Sequence, residues 1–360
     1  MLVVDADTHI DETEATWEYL AEGEQQFRPL AMDAPGQRGL VEGDARPHRL
    51  WLIDGQLRVR RFRNDQRTGT TLATRELVNI DERMSRMDEI GVDIQVIYPT
   101  LMLSALTPRP DVELALCRSY NRWMADRTAA SQGRLRWVAI LPLLSIDEAV
   151  KELRYAVDHG ACGLYKRALD CGGRGVGDPY FFPLYEEVSR LNVPICFHTG
   201  DTFGGNPALT EFSSSFSGAV SLGNLLTISA FINLVLNNVP SQFPNLRFGW
   251  IEASASWVPY LVHDLEAKQK RMNSLKFEFA RELFGQGRFY VTCDTMDDLS
   301  YILPYGVEDC LILGSDYGHQ DQSAELEAHR ILRSRAEQGD ITMEVADKIL
   351  SDNARRFYNL

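Results

Sequence analysis

The chain has 360 residues, room for two ordinary domains or one large α/β barrel, and enough to bury a core without disulfides or a structural metal. With 37 Lys and Arg against 51 Asp and Glu it carries a formal charge of −14, which argues against nucleic acid and anionic membranes as partners, since both reward basic surface. No apolar run nears the ~20 residues that span a bilayer, and six cysteines without a CxxC pair read as reduced thiols of a cytoplasmic enzyme.

Short apolar or β-branched runs fall at 2–6, 93–98, 135–141, 162–165, 194–197, 246–251, 288–293 and 310–313. Several are apolar without alternation, as strands covered by helices on both faces must be. Between them lie amphipathic stretches. At 147–158, Ala149, Val150, Leu153, Ala156 and Val157 share one helical face, and 180–191 and 326–338 look alike. Eight strands alternating with helices predict a (β/α)8 TIM-like barrel with extra helices at the C-terminal end.

A minimal barrel takes about 250 residues, so roughly 110 must be insertion. We read 1–360 as a single barrel domain, with 13–74 a lid subdomain set between the first strand and its helix. Within it, Arg49 to Arg60 reads as a hairpin turning at Asp54-Gly55. From Arg46 to Arg75, eight arginines meet two aspartates, a local +6. These arginines form either a solvated face or a lid holding an anionic substrate, because guanidinium forks match carboxylate and phosphate. Arg49, Arg60, Arg61 and Trp51 are the candidate substrate-binding residues. A second loop, 201–223, is rich in Gly, Ser and Phe and follows the fifth strand.

Barrel active sites form at the C-terminal ends of the strands. There the sequence sets Asp5, Asp7, His9 and Glu12 after strand one, Lys166 and Arg167 after strand four, and His198 after strand five. Strand six contributes Glu252, and strand eight Asp316 and His319. Burying so many ionisable groups costs several kcal/mol apiece unless they are paired or bound to metal. Imidazole and carboxylate converging from separate strands is metal-ligand chemistry.

Val4-Asp5-Ala6-Asp7-Thr8-His9, Cys196-Phe197-His198-Thr199-Gly200 and Leu313-Gly314-Ser315-Asp316-Tyr317 resemble the signatures of the amidohydrolase superfamily. The nearest branch is that of the aminocarboxymuconate-semialdehyde decarboxylases, amidohydrolase 2. The likeness extends to Arg247-Phe248-Gly249-Trp250-Ile251-Glu252 and to Asp352-Asn353-Ala354-Arg355-Arg356-Phe357-Tyr358. It implies a divalent metal held from strands one, five and eight by Asp7, His9, His198 and Asp316. In that branch the reactions are decarboxylation and hydrolysis of C–C or lactone bonds.

Three departures stand out. Asp7 takes the place of the first histidine of a His-x-His pair, Glu252-Ala-Ser replaces a strand-six histidine, and His319 follows the strand-eight aspartate. The ligand candidates thus become Asp7, His9, Glu12, His198, Glu252, Asp316 and His319, with Asp316, Glu252 and His319 the catalytic candidates. Seven O and N donors exceed what one tetrahedral zinc uses. Either some of them orient the histidines or two ions share the site. Lys166 is either a carbamylated bridge between two such ions, as in binuclear relatives, or a substrate-binding cation. Zinc, manganese and iron are the candidate metals, and a carboxylate-rich pair suits manganese or iron.

Two enzyme classes follow. One hydrolyses or decarboxylates an anionic ring acid or acyl substrate through metal-activated water or metal chelation. The alternative is a non-heme di-iron oxygenase, whose ligand balance of three histidines and four carboxylates is the same. Large barrels often associate, so a homo-oligomer is also expected by analogy.

Overall fold

The computed structural model describes residues 1–33, 49–60, 63–198, 222–272, 280–320 and 324–360. Among these, eight parallel strands form one sheet in the order β1-β5-β6-β7-β10-β11-β12-β13. They are β1 (Val4–His9), β5 (Ile94–Tyr98), β6 (Leu135–Ala139), β7 (Ala161–Lys166), β10 (Ile195–Phe197), β11 (Phe248–Trp250), β12 (Phe289–Cys293) and β13 (Leu311–Leu313). The sheet curls until its last strand meets its first. Asp316 N–H donates to Asp7 O (3.0 Å) and His9 N–H to Tyr317 O (2.8 Å), closing the barrel at a seam.

All eight expected strands are present, wrapped by helices. In Ile146–Asp158 the predicted stripe faces inward, with Ala149, Leu153 and Ala156 buried. The main difference lies in β1, which runs on to His9 instead of stopping at Ala6. Its pairing with β5 slips between Asp5 and Thr8, where three steps along β1 match two along β5. This bulge reverses the inside–outside alternation. Asp5 and Thr8 therefore share the outer face of the wall, and Asp7 and His9 turn inward.

The insertion carries an antiparallel sheet of β2 (Leu30–Asp33), β3 (Arg49–Ile53) and β4 (Gln56–Arg60). Asp54 and Gly55 both have positive φ, as a tight two-residue hairpin turn requires. A short hairpin, β8 (Leu169–Asp170) with β9 (Arg174–Gly175), follows β7. C-terminal helices complete the wrap. A Cβ at Gly249 would lie 2.3 Å from the Phe357 ring, so glycine is what lets the final helix seat against β11. Among the described residues no helix is long and apolar enough to cross a membrane.

Candidate metal centre

The inner face of β1 presents Asp7 and His9 side by side. His198 stands just past β10, Glu252 two residues past β11, and Asp316 and His319 past β13. Two of these backbones are strained: Glu252 has φ 50° and Asp316 φ 52°, the left-handed region that non-glycine residues rarely occupy. Such strain persists only where surrounding contacts impose it, and it concentrates at functional sites. Glycine at 314 is equally required, because a Cβ there would fall 2.4 Å from Asp7 Cβ.

Donor atoms of Asp7, His9, His198 and Glu252 lie within 4.8 Å of one another, and so do those of His9, Glu252, Asp316 and His319. The two groups share His9 and Glu252. His9 Nε2 is 3.4 Å from both Asp7 Oδ1 and Asp316 Oδ1. His198 Nε2 is 3.5 Å from Asp7 Oδ1 and 3.1 Å from Glu252 Oε2, and His319 Nδ1 is 2.7 Å from Asp316 Oδ1. The His9 and His319 rings stack at 3.8 Å. His9 Nδ1 meets the Pro99 carbonyl at 2.8 Å. A carbonyl only accepts, so Nδ1 carries the proton and the Nε2 lone pair points into the cluster, the orientation expected of a metal-ligating imidazole.

The cluster draws positive charge. Burial raises the Asp7 carboxyl, but the His198 imidazolium outweighs it and holds Asp7 below the ordinary carboxylate range. Burial lowers His198, yet Asp7 and Glu252 bring its imidazolium up to about 10. Asp7 Oδ1 and His9 Nε2 are buried and make no hydrogen bond among the described residues. Two acceptors left this way are costly in a dry interior. A divalent cation satisfies both, and a set of imidazole and carboxylate donors fits one.

The remaining candidates lie elsewhere. Glu12 is buried outside both groups: its carboxylate accepts from the N–H groups of Thr100, Leu101 and Met102 (2.8–3.3 Å), and burial raises its pKa. The Lys166 ammonium is 2.9 Å from Asp170 Oδ2 and 3.8 Å from the Phe181 ring, with burial pulling its pKa down. Trp51 is buried edge-on to Trp17, and the Arg60 guanidinium covers it while pairing with Glu14 and Glu76. Those contacts fasten the insertion to itself and to the barrel. Arg49 pairs with Arg60 across β3 and β4. Arg61 and the 201–221 part of the long loop lie outside the described residues.

Sequence reasoning assigned no role to three supports. Asp5 sits on the outer face, where its carboxylate accepts from Ser315 N–H (2.8 Å) and Ser315 Oγ–H (2.6 Å), directly before Asp316. Arg83 grips the same wall. Asp297 lies behind the Glu252 loop. The bulge in β1 sets the outward direction of Asp5, and it has no sequence signature.

A small cleft is lined by Met102, Leu106, Leu116 and Arg167 and by Glu113. Burial lifts the Glu113 carboxyl to about 7, against the opposing Leu144 N–H and Arg167 charge. The folded state thus holds this proton up to pH ~7, while the unfolded chain releases it near 4.5. This group's contribution to stability is fully present below pH ~4.5 and is lost, by about 3 kcal/mol, as pH rises from there through 7. Glu113→Gln should remove that slope, and urea unfolding of both proteins at pH 5 and pH 8 measures it. Equal slopes in the two proteins would count against this account.

Comparison with known proteins agrees with the fold. The amidohydrolase 2 family model matches residues 4–281. A 2-amino-3-carboxymuconate-6-semialdehyde decarboxylase of Dictyostelium discoideum is 22% identical over 287 residues, covering 78% of this chain and 76% of that one. An amidohydrolase structure from Mycobacterium avium subsp. paratuberculosis superposes with a TM-score of 0.79 at 19% identity, over 100% of this chain and 98% of its own. A 5-carboxyvanillate decarboxylase from Novosphingobium aromaticivorans, in complex with manganese and 4-hydroxy-3-methoxy-5-nitrobenzoic acid, gives 0.70 at 16% identity, over 100% and 96%. By the extent of that family match, the chain belongs to the amidohydrolase family, in its amidohydrolase 2 branch.

Proposed function

We propose that the chain is a divalent-metal-dependent enzyme that removes the carboxyl group of a small aromatic acid as CO2. The observation that carries this reading is the convergence of six imidazole and carboxylate side chains from four strand ends, with Asp7 Oδ1 and His9 Nε2 buried without hydrogen bonds. The decarboxylases among its relatives support the reaction class.

In a single-ion arrangement Asp7, His9, His198 and Glu252 would be the ligands. The ion would bind substrate oxygens and stabilise the charge that develops as CO2 leaves. His319 and Asp316, 2.7 Å apart, then remain to hold and move a proton. The C–COO⁻ bond breaks, and the electron pair left on carbon takes the His319 proton. Asp316 stabilises the imidazolium before transfer, so His319, past β13, fills the acid role that Glu252, past β11, leaves vacant. Arg49 and Arg61 of the insertion are the candidates for the substrate's anionic group.

A second reading rests on the two donor groups sharing His9 and Glu252. Such sharing suits a binuclear centre, and with iron an oxygenase. Metal content by mass spectrometry, with CO2 release from a panel of hydroxylated benzoic acids, separates the two. One manganese or zinc per chain with CO2 release independent of oxygen supports the first. Two irons with oxygen-dependent turnover support the second. A protein that takes up no divalent ion overturns both.

Stability gives an independent check. With free metal at 100 times its Kd, binding adds ~2.7 kcal/mol. Chelation is therefore expected to lower Tm by on the order of 5 °C, and Mn(II) should restore it.

A further inference from the structure

We infer that Asp297, remote in sequence from every ligand candidate, is the positioning residue that keeps Glu252 in its strained, cation-facing conformation; the inference rests on the metal-dependent reading above. Asp297 is buried, and each of its carboxylate oxygens takes two donors. Oδ1 accepts from Ser254 Oγ–H (2.6 Å) and Ser256 Oγ–H (2.5 Å), and Oδ2 from the backbone N–H groups of Ala255 (2.9 Å) and Asp294 (2.8 Å). Three of the four donors belong to the five-residue turn that begins at Glu252, and the fourth ties that turn to the end of β12.

The turn needs such an anchor. Glu252 has φ 50° and Ser254 φ 52°, two left-handed non-glycine residues separated by one position. Each is strained and reverts to an extended backbone unless held. Reversion would swing the Glu252 carboxylate away from His198, now 3.1 Å distant. Charge-assisted bonds from two hydroxyls and an amide supply the restraint, being roughly twice as strong as neutral ones. The seam repeats the device: Asp5 grips Ser315 immediately before left-handed Asp316. Arg335 steadies the far side, donating to the carbonyls of Thr295 and Asp297.

The test is Mn(II) titration calorimetry on metal-stripped, full-length protein. Asp297→Asn keeps the shape but cannot accept all four donors, and it should weaken Mn(II) binding about 10–100-fold. Ser254→Ala removes one donor without threatening the fold and should weaken it by a smaller factor. Asp298→Asn serves as the control, because Asp298 caps the neighbouring helix Leu299–Ile302 and has no hydrogen bond to the Glu252 turn. Its Mn(II) affinity should match wild type even if its Tm falls. Unchanged affinity in folded Asp297→Asn, or an equal loss in Asp298→Asn, overturns the inference. If Asp297→Asn does not fold, Ser254→Ala decides alone: weaker binding supports the inference and wild-type binding refutes it. A wild-type protein that binds no Mn(II) would instead bring down the metal-dependent reading, and this inference with it.

Discussion

Replacing His9 with alanine is expected to lower Mn(II) affinity by at least ~100-fold and to reduce turnover to background. His9 belongs to both donor groups, so its loss depletes a single-ion or a two-ion site alike. Its tautomer is set by the Pro99 carbonyl, and its Nε2 is buried between Asp7 and Asp316. The alanine variant also leaves those two carboxylates without the imidazole between them. Metal content after dialysis against a fixed free Mn(II) concentration is the measurement. Glu12→Gln makes the contrast: three backbone N–H groups occupy that carboxylate, so this change should cost stability and leave metal content intact. Wild-type metal content in His9→Ala would remove His9 from the ligand set.

Arg83→Met should be the most destabilising change outside the cluster, by about 3–5 kcal/mol. The guanidinium is fully buried and donates to Gln95 Oε1 (2.9 Å), His9 O (3.0 Å), Thr74 O (3.2 Å) and Thr8 Oγ1 (3.2 Å), while lying 4.3 Å over the Tyr317 ring. Burial lowers its pKa, with Tyr317 and Asp5 opposing. Methionine fills much of the space but supplies none of the donors, leaving four acceptors in a dry wall. Arg83→Lys retains the charge and loses the planar fork, and should recover only part of the loss. The shift in urea midpoint reports the cost, and a change below ~1 kcal/mol would show that water replaces the guanidinium without penalty.

Much of the barrel could be read from the chain. Strands packed on both faces must be nearly all apolar, and eight such runs stand out from the polar turns between them. The site was legible to the extent that strand ends are legible: His198, Glu252 and Asp316 each stand within three residues of an apolar run. Glu12 falls outside both donor groups among the described residues, because proximity to His9 along the chain says nothing about direction once β1 has ended. The arginine-rich window is less basic in the fold than along the chain. Counting charge between Arg46 and Arg75 gives +6, yet acids outside the window, Glu14 and Glu76 for Arg60 and Asp11 for Arg63 and Arg75, take up much of it. Asp297 could not have been singled out, since its importance lies in four hydrogen bonds that exist only after folding.

The seam between β1 and β13 has a kinetic consequence. Asp5 and Ser315 are 310 positions apart, so joining them closes nearly the whole chain into one loop, and contacts of such long range form late. Asp7, His9 and Asp316 become neighbours only when that closure occurs. A cation held by Asp7 and His9 would contribute nothing to the earlier steps; it would act on the reverse process, slowing unfolding while the rate of folding stays as it was.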